Sequence, residues 1–307
     1  METSHRPVLG FTLALITAVL WGILPLFLMI CLQVMDSPTI TLYRFFAAAL
    51  VVGLWLASRG GLPKVSRYPK AVLQLAVGST VMLVVNYVFN VMGLKYLSPG
   101  SVQVLMQIAP FALMMGGIWI YREQFSRLQG GGAVCLLIGL TLFFNQRLPQ
   151  ILASESEDVL GIVFIVIAAV TWAGYALCQK AIMKTMTAMQ LTLFIYLLGG
   201  LMLLPFSELG SIVEMNTVQG WALAFCCANT LVAYGAFTEA MRVWSASRVS
   251  AVIATAPVFT FISMAVADAL YPHTFEQPPL SVIAILGAAM VICGSIMAAL
   301  GRSRKTA

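Results

Sequence analysis

Charge is what this sequence has least of. Only 9% of its 307 residues are Asp, Glu, Lys or Arg, while 61% are apolar. A domain in water carries about 25% charged residues to solvate its surface. A water-soluble fold is therefore excluded, and lipid must be the solvent for much of the surface. Histidine is nearly missing, since His5 and His273 are the two present, and a His-ligated metal site has nothing to draw on. Cys31, Cys135, Cys178, Cys226, Cys227 and Cys293 sit in apolar runs without C-x-x-C spacing, which reads as small packing residues rather than metal or redox groups. There is no H-E-x-x-H, no pair of membrane aspartates and no Ser/His couple within an apolar run, so an intramembrane enzyme lacks its reacting groups. Neither an enzyme activity nor a cofactor is expected.

What the chain does have is long apolar runs. A spanning helix needs about 20 mostly apolar residues, and cutting the sequence at charged and Pro/Ser/Asp clusters gives ten such runs. They lie near 8–32, 40–58, 71–93, 99–121, 130–145, 159–180, 188–206, 219–241, 248–268 and 280–300. The first is too long for the core of a cleavable signal. The expected class is an all-α polytopic membrane protein with ten transmembrane helices. If the N-terminus is cytoplasmic, the cytoplasmic segments hold 14 of the 17 basic residues, the opposite loops hold Lys95 and Arg147, and Arg44 lies within a run. That bias satisfies the positive-inside rule and puts both termini in the cytoplasm. It also explains the net charge of +6 as a topology signal, with lipid rather than nucleic acid as the partner.

The two halves repeat. Ser98-Pro99-Gly100-Ser101-Val102 leading to Ala109-Pro110 matches Ser245-Ala246-Ser247-Arg248-Val249 leading to Ala256-Pro257 at an offset of 147, which also aligns Tyr87 with Tyr234 and Lys95 with Arg242. Trp21-Gly22 matches Trp172-Ala173 at 151, and the run Gly132 to Gly139 matches Gly287 to Gly294 at 155. Each repeat holds five spans, an odd number, so the second must be inverted: 8–145, then 159–300, joined by a periplasmic linker at 146–158. Inverted repeats are a transporter architecture.

Several segments resemble the EamA domains of the drug/metabolite transporter superfamily. They are Ala18-Val19-Leu20-Trp21-Gly22, Leu42-Tyr43-Arg44-Phe45-Phe46-Ala47-Ala48, Arg122-Glu123-Gln124-Phe125 followed by Gly131 and Gly139, and Ala168 to Tyr175. The resemblance covers about 8–300. One departure lies before the tenth span, where Asp268 and Glu276 bracket an insertion containing Tyr271, Pro272, His273 and Phe275 in place of the expected Glu. The resemblance implies export or exchange of small metabolites, amino-acid-like or drug-like, across a bacterial-type inner membrane.

The candidate site consists of polar and aromatic groups at membrane depth. Asn86 and Asn90 share one helix face, and Gln103, Gln107 and Pro110 share another. These amides either wall a cavity for a neutral or zwitterionic solute or hold helices together. Pro110 and Pro257, equivalent in the two halves, each remove a backbone donor and free a carbonyl, as a paired gating break or as packing kinks. Thr17, Trp21 and Pro25 form one stripe and Trp172, Tyr175 and Gln179 another, placing aromatic faces in a pore wall or in the core. Arg44 is a buried charge and hence a candidate for a substrate carboxylate, with snorkelling to the outer headgroups as the rival. Glu239 has Arg242 at i+3 and reads as an ion pair or as a coupling acid.

The substrate-binding set is thus Trp21, Arg44, Asn86, Asn90, Gln103, Gln107, Trp172 and Tyr175, serving alternating access between the repeats. A non-transporting membrane sensor or scaffold is the alternative. Small-residue stripes at Gly132/Gly139 and at Gly287/Gly294/Ala298 are expected to pack each helix within its own half, as a monomer, or to support a homodimer. The charge bias yields a test of orientation. A single cysteine placed in the 59–70 loop of a Cys-less background should resist an impermeant thiol reagent added from the periplasm, and labelling would reverse the topology.

Overall fold

The computed structural model describes residues 7–121, 126–145, 158–244, 246–271 and 281–300. Among these, all regular structure is helical: α1 Pro7–Cys31, α2 Ser37–Ser58, α3 Lys70–Gly93, α4 Pro99–Leu105, α5 Ile108–Tyr121, α6 Arg127–Phe143, α7 Asp158–Ile182, α8 Ala188–Leu203, α9 Thr217–Val243, α10 Ala246–Ile253, α11 Ala256–Leu270 and α12 Val282–Leu300, with short 3-10 turns at 65–67, 204–206 and 209–214. Taking α4 with α5 and α10 with α11 as single runs, eight helices are long and apolar enough to cross a membrane, and Arg127–Phe143 and Val282–Ala298 are shorter apolar helices. Leu54, Val134 and Ile285 are exposed in mid-helix, as expected where lipid is the solvent. The 146–157 part of the linker, Arg122 to Phe125, and Glu276 with its neighbours lie outside the described residues.

Local sequence sets the helix ends. The fifth apolar run begins at Arg127 rather than near 130. Ser126 and Gln129 form a capping box, with Gln129 N–H donating to Ser126 Oγ at 3.2 Å and Ser126 N–H to Gln129 Oε1 at 2.9 Å, which satisfies orphan donors a turn earlier than hydropathy alone suggests. Asn216 with Gln219 and Thr187 with Gln190 repeat the device at α9 and α8.

The helices pair across the repeats, and the pairs obey the internal symmetry. α1 lies antiparallel to α9 as α3 lies to α7, and α2–α8 and α6–α12 are pairs in which each helix meets its own counterpart. Close approaches recur at equivalent positions. Gly10 packs under Trp244 and Gly161 under Leu97, and both the glycines and their partners are repeat mates, at offsets of 151 and 147. Val102 and Val249, mates at 147, are both fully buried.

One expectation is corrected here. The glycine stripes do not pack within each half; they face one another across the halves. A Cβ on Gly139 would fall 2.7 Å from Val291 N and 2.8 Å from Gly287 O, and one on Gly294 would fall 2.6 Å from both Gly132 O and Leu136 N. Hydrocarbon supplies little hydrophobic drive between helices, so α6 and α12 depend on this close backbone packing. The stripe is consumed inside one chain and is not a free dimer face.

The buried clusters divide the two ends of the molecule. At the end bearing the loops 32–36 and 94–98, one cluster runs from Leu28, Met35, Leu97 and Phe143 in the first repeat to Ile165, Cys226 and Val291 in the second. At the end where the N-terminal helix begins, two separate clusters form, Leu56, Ile182 and Met186 in one and Ala14, Ala240 and Val249 in the other. Each of these clusters joins residues of both repeats. Gly294→Leu should lower folded yield and melting temperature sharply, because backbone on α6 cannot yield. Gly78→Ala, with nothing within 4 Å of the added carbon, should leave both unchanged in fluorescence-detected size-exclusion chromatography.

Candidate functional site

Two of the apolar runs are broken at matching places. α4 ends at Leu105 and α5 resumes at Ile108; α10 ends at Ile253 and α11 resumes at Ala256. Each break lies about one turn before its proline, because the ring of Pro110 or Pro257 collides with the carbonyl four residues earlier. In the second break Val258 N–H donates to Thr255 O instead of continuing the α pattern, and the Ala254 carbonyl is left to another donor. Gln107, which sits in the first break, supplies it: Gln107 Nε2 donates to Ala254 O at 3.2 Å, and Ser295 Oγ donates to Gln107 Oε1 at 2.7 Å. Residues 107 and 254 are repeat mates, so this bond crosses the internal symmetry axis.

A cavity of about 170 Å3 opens beside the two breaks, between the repeats. Of the expected residues, Trp21, Arg44, Asn86, Asn90, Gln103, Gln107, Trp172 and Pro110 line it. Tyr175 does not; it is buried in the cluster of α2, α3, α7 and α8. Pro257 is buried behind the wall, which at that point is Ala254 and Ala256. Glu239 also lies away from the wall. It is half-buried on α9 and not free of interactions, and its expected pairing with Arg242 falls on a side chain outside the described residues.

The amides divide by role. Asn86 Nδ2 donates to Ala168 O on α7 at 2.8 Å, and Gln103 Nε2 donates to Trp21 O on α1 at 2.7 Å. These bonds, with that of Gln107, hold helices together while their side chains face the cavity. Thr17 makes the counterpart of the Asn86 bond, its Oγ1 lying 3.3 Å from Ala233 O, at the two repeat-equivalent positions. Asn90 is half-buried in the wall and makes no hydrogen bond to the protein among the described residues, so its amide is available to a solute.

Aromatic rings supply the apolar wall. Trp21 packs on Tyr234 and Phe237 with centroids 5.3 and 5.6 Å apart, and Tyr234 stacks on its repeat mate Tyr87 at 6.3 Å. Arg44 does not snorkel. It is only 4% exposed, its Nε donates to Thr230 Oγ1 at 3.0 Å, and its guanidinium lies 4.5 Å from the centre of the Tyr87 ring. Tyr87, Tyr234, Phe237 and Thr230 were not singled out by sequence as site residues. The 147-residue match of the two tyrosines was the available signal.

The family model for EamA-like transporters matches residues 8–145 and 159–300. The chain belongs to the EamA-like transporter family. This family member is 37% identical over 295 residues to the uncharacterized inner membrane transporter YhbE of Escherichia coli K12, covering 95% of this chain and 92% of that one. It is 33% identical to an uncharacterized transporter of Haemophilus influenzae, with 97% of each chain covered. A crystal structure of another protein shares this fold at a TM-score of 0.66 and 18% identity, covering 97% of this chain and 98% of that one. Membership makes the protein a membrane transporter.

The division of the amides has a measurable consequence. Asn86→Ala should destabilise the protein by about 0.6–1.7 kcal/mol, the span of interhelical hydrogen bonds in membranes. Asn90→Ala should leave the thermal midpoint unchanged, and equal losses from the two would show that Asn90 is also a structural tie.

Proposed function

We propose that this EamA-family protein carries small metabolites across a bacterial inner membrane by alternating access. Its two repeats rock about the paired breaks at Gln107 and Ala254, and both termini lie in the cytoplasm. The two family matches, 8–145 and 159–300, read as two inverted sets of five spans, are the frame of this reading. The observation that carries it is the position of the cavity, which lies between the repeats, beside both helix breaks, and is walled by residues of each half. Broken helices at a repeat interface are where transporters of this kind bind their cargo. The inner-membrane location draws on the name of the Escherichia coli relative.

Size narrows the cargo. A cavity of about 170 Å3 is close to the ~150 Å3 engineered cavity that accepts benzene and below the ~300 Å3 of the smallest drug-sized pockets. Small metabolites therefore fit better than bulky drugs. Absence of an acidic residue from the wall, among the described residues, favours exchange or downhill movement over proton antiport through a buried acid.

In proteoliposomes, wild-type protein should exchange labelled small amino acids or related solutes, with initial rates that change little between pH 6 and 8. Asn90→Ala should cut the rate about tenfold, the loss of one to two hydrogen bonds to solute, at unchanged stability. A stable protein with no flux for any solute of this size would instead support a sensor or scaffold.

A further inference from the structure

The wall contains a positive charge that no acidic residue among those described in it neutralises. Arg44 is buried, none of the cavity-lining residues is acidic among those described, and a guanidinium removed from water this way is costly without an anion. What the protein offers it is orientation. Thr230 spends its one proton on Cys226 O at 2.9 Å, so its oxygen lone pair is left to accept Arg44 Nε. The Tyr87 ring takes one face of the guanidinium, a contact that attracts the cation but leaves its charge intact. Fixing Nε leaves the terminal Nη pair as the fork a planar oxyanion would take.

A second, independent observation lies beside it. Tyr87, 5% exposed and part of the same wall, holds its hydroxyl buried beside the Tyr196 and Tyr234 hydroxyls without a well-formed hydrogen bond to either. A buried hydroxyl without a well-formed bond is an expense that folds avoid, and a ligand oxygen would remove it. The rings of Trp21, Tyr234 and Phe237 then offer an apolar enclosure for whatever is attached to the oxyanion.

We propose that Arg44 and Tyr87, with Thr230 as the positioning residue, form the carboxylate subsite of a cavity selective for compact aromatic or apolar carboxylic acids, zwitterionic amino acids included. The proposal rests on the transport reading for its place in function, but binding at the subsite does not depend on movement. An organic cation of the same size meets Arg44 with like charge and is rejected.

The test uses purified full-length protein and three labelled probes that differ only in their polar groups: phenylacetate, phenylalanine and phenethylamine. Equilibrium dialysis should show both carboxylates binding at least tenfold more tightly than the amine. Arg44→Gln should weaken phenylacetate ~10- to 100-fold, as expected for a lost charge-assisted bond, without weakening phenethylamine. Should that variant fail to fold, Tyr87→Phe remains informative, since it removes a hydroxyl that makes no well-formed bond within the protein; it should weaken phenylacetate a few fold with little change in melting temperature. Unaltered phenylacetate binding in either folded variant, preference for the amine, or no binding of either acid would overturn the subsite. Displacement of phenylacetate by equimolar chloride or inorganic phosphate would assign the charge to an inorganic anion and overturn the carboxylate class. Counterflow in liposomes separates the two proposals. Arg44-dependent phenylacetate binding with no counterflow would keep the subsite and reject transport, whereas counterflow of phenethylamine without acid binding would do the reverse.

Discussion

A backbone carbonyl in hydrocarbon cannot turn to water, and in this protein two prolines create that need at equivalent places. Around Pro257 the Ala254 carbonyl is stranded by the local shift to a tighter turn, and Gln107, from the matching break, donates to it. The same amide is held from behind by Ser295 on α12. Both broken runs and the α6–α12 pair are therefore joined through one side chain. The cavity exists because two helices are interrupted there, and it persists without collapse because the interruption is hydrogen-bonded from within the protein.

The rest of the packing follows from pairing each helix with a partner in the other repeat. Glycines let backbones meet at α6–α12, at Gly10 under Trp244 and at Gly161 under Leu97, and short polar bonds such as Asn86 to Ala168 and Thr17 to Ala233 lock the α3–α7 and α1–α9 pairs. None of these is large alone. They matter because lipid competes poorly for polar groups and offers no penalty for exposed leucine.

Sequence reading went furthest where a single physical rule dominates. Apolar length reveals the spans, and offsets of 147 and 151 reveal the duplication that the paired contacts then display. It fell short where identity depends on which neighbour is present. A stripe of glycines specifies closeness but not the partner, so sequence alone places each of α6 and α12 against its own half although they pack on one another. Asn86 and Asn90 share a face by periodicity, yet one turn decides that the first meets the Ala168 carbonyl and the second meets the cavity. Tyr175, one turn from Trp172, is turned into the core for the same reason. The helix breaks were legible from Pro110 and Pro257, but Gln107 as their link was not, because its acceptor is 147 residues away.

Duplication has a further consequence for energetics. Were the two halves identical, rocking from one conformer to the other would regenerate the same set of contacts upside down, and the two states would be degenerate. The halves differ at many mates, among them Leu97 against Trp244, Asn86 against Ala233, Gln107 against Ala254 and Gly93 against Ala240. On the proposed mechanism, only these mismatches can tilt the resting equilibrium, since every matched pair contributes equally to both states. Any directional bias built into the empty protein is then a property of sequence divergence between the repeats, and making a mate outside the cavity wall identical to its partner would shift it without touching the cargo.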